Sequence, residues 1–213
     1  MAKQSLRDLK KEETWHVLAQ TSFELALEKG LDGFTIEDVV QRAHYSRRTF
    51  ANHFSCKEEA VAMSVISVTS VQGEKQRAEV LQEVDKISEE SPVDALYQWL
   101  RMNFTANLLR KLRQLFALSK SYPTLEPYVL NVLHRLQEAG HFEVKRVCGD
   151  RYPLGYPHLL VGAVFGAVLS ILEEEVPVRF AGEEVGEDAD KQTNAIPFDQ
   201  FLEMTFGYLK NGF

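Results

Sequence analysis

Apolar residues recur every three or four positions through almost the whole chain, the spacing of helices with one buried face. Lys10 to Glu28 shows it at Trp15, Leu18, Leu25 and Ala26, and Gly30 is placed to end that helix. Ile36, Val39, Val40 and Ala43 make the face of a short second helix. A third is predicted from Ser46 to His53, with Phe50 and Phe54 turned inward. Lys57 to Val71, rich in Ala, Val and Ile, predicts a fourth that breaks at Gly73. Residues 74–91 are charged but keep Val80, Leu81, Val84 and Ile87 at helical spacing. Pro92 opens a broad apolar face through Leu96, Trp99, Leu100, Phe104, Leu108, Leu109, Leu112, Leu115 and Phe116, read as one segment ending at Pro123. Helices over Thr124 to Val147, Leu159 to Leu172 and Phe198 to Leu209 complete the pattern, with a disturbance expected at Gly140. No run alternates as a strand does and no repeat occurs. The expectation is an all-α protein.

The three short elements near the N-terminus carry start signals that agree with one another. Thr35 can cap the second helix, with Asp38 three residues on to close a capping box. Ser46 can cap the third, and Ser55 the fourth with Glu58 as its box partner. The third helix therefore opens Ser46-Arg47-Arg48-Thr49, with donors projecting from its first turn. In a helix-turn-helix protein that turn meets base edges and phosphates. Lys57 stands in the first turn of the next helix, where backbone N–H groups already favour a phosphate. These signals predict a DNA-reading head.

The arrangement resembles the N-terminal domain of the TetR family of bacterial transcriptional regulators. The resemblance rests on the long first helix ending at Lys29-Gly30, on Thr35, on the 36–43 and 46–53 helices, and on Phe54 followed by Lys57. It covers about the first quarter of the chain. Ala51 stands where the family often has an aromatic residue against the DNA backbone, and His44-Tyr45 replaces the small pair usual in the turn. The resemblance implies a three-helix DNA-binding head at 1–56 and a helical effector-binding and dimerisation body at 57–213. It implies DNA contacts from Thr35, Ser46, Arg47, Arg48, Thr49, Asn52, His53 and Lys57.

A net charge of −7 looks unsuited to DNA until it is divided. Residues 1–57 carry nine Lys/Arg against eight Asp/Glu, so the remainder holds −8. Residues 173–191 alone contain eight acidic and two basic residues. Pairing with phosphate is local and screened beyond roughly 8 Å at physiological salt, so a modest positive face suffices. Residues 173–197, with two prolines and two glycines, read as a mobile acidic loop that buries little. As a minor alternative, the loop rims a ligand entrance or repels stray DNA.

Two further patterns concern the body. Gly162, Gly166 and Ser170 fall four apart, giving a small-residue face that lets another helix come close, beside an apolar face of Leu159, Val161, Phe165, Val168 and Leu172. In TetR-like proteins the last two long helices pair with their copies, which implies a homodimer interface at Gly162, Phe165, Gly166, Leu169, Phe201, Leu202 and Phe206. The bland alternative places both helices in the core of one chain. Trp99, Met102, Phe104, Phe116, Tyr128 and Phe165 are pocket candidates on the same resemblance, each otherwise plain core. The basic cluster Arg110-Lys111-Leu112-Arg113 reads as a wet helix face, with binding of an acidic ligand or a phosphate as the alternative.

Catalytic signals are weak. Glu138 and His141 form a lone Glu-x-x-His, whereas a di-iron carboxylate bundle needs two such pairs and two more Glu. Phosphate-loop, dinucleotide, nucleophile-elbow and HExxH motifs are absent from the sequence. Cys56 and Cys148 are too few for a disulfide framework, and Cys56 reads as a small residue at a helix start before it reads as a redox thiol. The charged N-terminal residues do not resemble a secretion signal, and the longest apolar run, 14 residues, falls short of the roughly 20 a membrane span needs. The expectation is a cytoplasmic, non-enzymatic, cofactor-free regulator: a dimer bound to a palindromic operator, most simply a repressor released by a small apolar or amphipathic effector. The alternative is a regulator or interaction protein whose body binds a protein partner.

Overall fold

The computed structural model describes residues 6–71, 91–182 and 195–211. In order these form α1 (Leu6–Lys29), a 3₁₀ turn (Leu31–Gly33), α2 (Ile36–Ala43), α3 (Arg47–Ala51) and α4 (Lys57–Val71). After the gap come α5 (Pro92–Asn103), α6 (Ala106–Ser121), a second 3₁₀ turn (Pro123–Leu125), α7 (Glu126–Cys148) and α8 (Tyr156–Leu172). Two-residue strands β1 (Val178–Arg179) and β2 (Ile196–Pro197) precede α9 (Phe198–Asn211). Among the described residues the protein is all-α apart from that parallel pair. The helix expected over 74–91 and the acidic centre of the 173–197 segment lie outside the described residues.

Contacts divide the chain into two compact units, Met1–Val71 with Gln114–Val132 and Gln72–Arg113 with Leu133–Phe213. In the first, α1 packs on α4 and α2 around Leu18, Phe23, Ala26, Leu31, Phe34, Val39, Phe50 and Phe54, all buried. The Trp15, Phe54 and Phe50 rings follow one another at 5.6 Å, aromatic contacts that add specific geometry to plain burial. Gly30 ends α1 with φ +73°, a conformation glycine adopts without penalty. A Cβ there would lie 2.2 Å from Tyr122 Oη, so the glycine also makes room for that ring.

In the second unit α5, α7 and α8 meet at Gly140, where a Cβ would find Phe165, Trp99 and Val161 at 3.5–3.6 Å. The helix runs through this glycine without the expected disturbance. Trp99, Phe104 and Phe165 form a chain of edge-to-face rings at 5.8 and 6.0 Å.

The segment read as one helix from Pro92 to Pro123 is two. Asn103 Nδ2 donates to the Trp99 carbonyl at 2.8 Å and Phe104 leaves helical geometry, closing α5. Thr105 Oγ1 then accepts the Leu108 amide at 3.3 Å, restarting the chain as α6. Polar side chains that compete for backbone groups end the first helix and cap the second. A second correction concerns 173–197, expected to bury little. Val178 and Phe180 are buried, 4% and 1% exposed, and Val178 pairs with Ile196. The alternation Val176-Pro177-Val178-Arg179-Phe180 is the strand signal that the acidic composition masked. The basic cluster is not a wet face either. Lys111 is buried, and Arg113 donates to the Val178 carbonyl at 2.8 Å with its guanidinium 4.1 Å from the Phe180 ring centre. Leu159, assigned to the apolar face of α8, is instead 76% exposed, while Val161, Phe165, Val168 and Leu172 are buried.

Candidate nucleic-acid interface

The head is held by its caps. Thr35 Oγ1 accepts the Asp38 amide at 3.3 Å, and Asp38 Oδ2 accepts from the Thr35 amide at 2.7 Å and its hydroxyl at 2.8 Å, completing the box. Those bonds from Thr35, first the hydroxyl and then the amide, hold the Asp38 carboxyl below the usual carboxylate range. His44 ends α2 in the left-handed region at φ 57°, and the Tyr45 amide returns to the Val40 carbonyl at 2.9 Å. A non-glycine residue thus makes the turn between the two short helices. Ser46 Oγ accepts the Thr49 amide at 3.0 Å and starts α3.

α3 is shorter than the 46–53 helix expected. Its helical residues end at Ala51, with Asn52 as cap, and the Phe50 carbonyl takes the amides of both His53 and Phe54. Phe50 is buried, whereas Arg47, Arg48, Ala51 and Asn52 are exposed. One side of α3 anchors it and the other is open. Arg47 forms an ion pair with Glu37 on α2 at 2.7 Å, both side chains well exposed. Arg42 clamps α2 to α1 through both Glu28 carboxylate oxygens at 2.8 and 2.9 Å. That paired hydrogen bonding lowers the Glu28 pKa and raises that of Arg42. No local pattern in the sequence announces a pair fourteen residues apart.

Two expected contacts are committed elsewhere. Thr35 uses its hydroxyl in the capping box. Lys57 Nζ donates to the carbonyls of Leu31 at 2.7 Å and Phe34 at 2.9 Å, and sits 5.1 Å from the Phe34 ring centre. The ammonium therefore supplies donors to two carbonyls at the ends of the 3₁₀ turn. His53 is half-buried beside Phe54, and its pKa is lowered first by burial and then by the charge of Lys11. At the start of α4, the partner of Ser55 is Glu59 and not Glu58. Glu59 Oε2 accepts from the Ser55 amide and hydroxyl, both at 2.7 Å.

The pocket and interface candidates scatter. Trp99, Phe104 and Phe165 converge in the second unit, where Met102 packs against Ala95 and Val147. Phe116 and Tyr128 belong to the first unit. Phe165, Phe201, Leu202 and Phe206 are buried inside this chain, Phe206 edge-on to Tyr97 at 5.0 Å. Leu169 is half-buried, and added Cβ atoms at Gly162 and Gly166 would meet open space. Glu138 and His141 do pair, at 3.5 Å, but among the described residues no group of three His, Cys, Asp or Glu is placed to hold a metal. Nor is any described helix long and apolar enough to cross a membrane.

Residues 18–62, from inside α1 to the second turn of α4, match the model of the bacterial regulatory proteins, tetR family. Over 93% of both chains, the fold is similar to a chain described as a TetR-family transcriptional regulator from Syntrophomonas wolfei, with 13% identity and a TM-score of 0.54. A second, from Mesorhizobium loti, shares 20% identity over 93% of this chain and 97% of that one, with a TM-score of 0.50. At these identities the likeness establishes the fold. Among curated proteins no match was found. Over residues 18–62, the helix-turn-helix head is similar to the bacterial regulatory proteins of the tetR family.

Proposed function

We propose that this regulator represses transcription as a homodimer on a palindromic operator and is released by a small apolar or amphipathic effector. The observation that carries the reading is the open side of α3, where Arg48 and Asn52 project from a helix fixed by Phe50 and the Ser46 cap. Arg47, Arg48, Thr49 and Asn52 read base edges or phosphates, with Ser46 and His53 at the ends of the same surface. Thr35 and Lys57 contribute by fixing the head. In the functional division, residues 1–56 read DNA and 57–213 bind effector and partner subunit.

Homodimerisation uses faces that are exposed in this chain: Leu159 and Gly166 on α8, beside the half-buried Gly162, with Met204 on α9. A single head has a small footprint, and two-fold symmetry doubles it. Effector binding shifts the population between head spacings that do and do not fit two half-sites. A gel shift over a range of salt concentrations, against DNA upstream of the protein's own gene, tests the reading. Sequence-selective binding with a steep salt dependence is expected. Loss of selectivity against random DNA would remove the repressor and leave the partner-binding alternative.

A further inference from the structure

A cleft of about 300 Å³ opens where the α5–α6 break meets the β1–β2 pair, all within the second unit. That volume is at the lower end of small-molecule sites. Its apolar wall comes from Phe104, Leu109, Phe180 and Phe198, each less than one-tenth exposed. Arg113 fixes this wall from behind, holding the Val178 carbonyl and lying against Phe180, while Phe198 meets the Phe180 ring edge-on at 5.8 Å. The cleft is therefore built on buried side chains that pack on one another.

Its rim is cationic. Arg179, exposed between the buried Val178 and Phe180, lines the cleft, and Arg101 lines it from the end of α5. Neither guanidinium has a carboxylate partner among the described residues, though Arg101 lies 5.7 Å from the Tyr97 ring centre. Among the described residues, Asp199 is the single acidic one that lines it. Two guanidiniums against one carboxylate, above an apolar wall, select by charge at one end and by burial at the other. A guanidinium binds a carboxylate through parallel N–H donors, a geometry an ammonium cannot reproduce.

We infer that this cleft binds a small amphipathic carboxylate, its head between Arg101 and Arg179 and its apolar tail on Phe104, Phe180 and Phe198. Of the six pocket candidates named from the sequence, only Phe104 lines it. The inference concerns binding alone and does not depend on repression.

The test is calorimetric titration of the full chain with octanoate, using octanol and octylamine as probes of equal tail and different head. Octanoate should bind saturably, one per chain, and more tightly than either control. Arg101→Ala and Arg179→Ala each remove one head contact, and the double variant should lose about tenfold or more in octanoate affinity, as for a charged hydrogen-bonding group. Asp199→Asn should tighten binding, and Ala106→Trp should block it by filling the cleft. Arg135→Ala, an exposed arginine outside the lining, should leave it unchanged. All five positions border solvent, so thermal melts of the variants should overlay the parent.

Equal affinity for octanol or octylamine, or an undiminished response in the double arginine variant, would overturn the assignment. So would the absence of saturable binding at millimolar octanoate. DNA affinity measured on the same samples reports separately on regulation. Octanoate binding without operator release supports the cleft and removes it as the effector site.

Discussion

The Cys56 sulfur and the Tyr128 hydroxyl share a hydrogen bond at 3.2 Å, while the same sulfur accepts the Glu59 amide at 3.4 Å. One side chain thus serves the first turn of α4 and ties it to the first turn of α7. The Tyr128 pKa is raised, first through its hydrogen bond with Cys56, then through its electrostatic interaction with Cys56, then through burial. A raised folded-state value means this stabilisation is complete below the unfolded phenol value and is lost as pH rises through the folded one. Ultraviolet titration should show one tyrosine ionising above the ordinary range, and Cys56→Ala should bring it down and flatten the alkaline fall in stability. A titration curve identical in the variant would dissolve the link.

Lys57 illustrates how a residue suited to one role is used in another. Its ammonium serves the Leu31 and Phe34 carbonyls, so Lys57→Ala leaves two acceptors short of a donor. The expected cost is about 1–3 kcal/mol in urea denaturation. Once folded, the variant should keep the parent's salt dependence of DNA binding. Unchanged stability with a shallower salt slope would return Lys57 to the phosphate surface.

His53 lies on the side of the head where α3 ends, and burial depresses its pKa, with Lys11 adding repulsion. A depressed folded-state value contributes stability that is present above the unfolded histidine value and lost as pH falls through the folded one. His53→Gln should therefore lessen the acid-side loss of thermal stability beginning near pH 6.5 and extending below it. Lys11→Ala should raise the His53 midpoint seen by NMR. A midpoint at or above that of a free histidine would contradict the burial argument.

Much of this was legible in the sequence wherever local rules act alone. The Thr35 box, the Ser46 cap and the inward Phe50 and Phe54 depend on neighbours within four residues, and each stands as read. Long-range partners were not legible. Nothing near Arg42 names Glu28, nothing near Lys57 names Leu31, and the burial of Phe180 under Arg113 joins segments far apart in sequence. The break at Phe104 was missed because apolar spacing continues across it. Only the Asn103 and Thr105 side chains mark it, by taking backbone groups the helix would have used. Composition hid Val178 and Phe180 in an acidic stretch, although their alternation was present.

Gly140 offers a test of packing. It sits inside α7, where glycine costs helix stability, and a methyl there would meet Phe165, Trp99 and Val161 at ordinary contact distance. Gly140→Ala should therefore stabilise the protein by about 0.4–1 kcal/mol, chiefly by restricting the unfolded chain. Chemical denaturation reads this directly. A destabilised alanine variant would mean that α5, α7 and α8 meet more tightly than these distances indicate, and Gly140→Val should be worse in either case.

The two arginines at the head of α3 should differ in what they contribute to operator binding. Arg47 is already paired with Glu37, but side chains 73% and 59% exposed gain little from such a pair. DNA phosphates can displace Glu37, at the cost of separating that pair. Arg48 is exposed and has no carboxylate partner among the described residues, so its donors are available from the outset. Arg48→Ala should weaken operator binding by about 1–3 kcal/mol and relax selectivity at one base position. Arg47→Ala should cost less. Glu37→Gln should strengthen binding, more at low salt than at high salt, because it frees Arg47 and removes a negative charge beside the phosphates. Quantitative gel shifts with single-base operator variants separate these effects. If Arg48→Ala lost affinity equally for every operator variant, the residue would hold a phosphate. If neither arginine mattered, the open side of α3 would not be the reading surface.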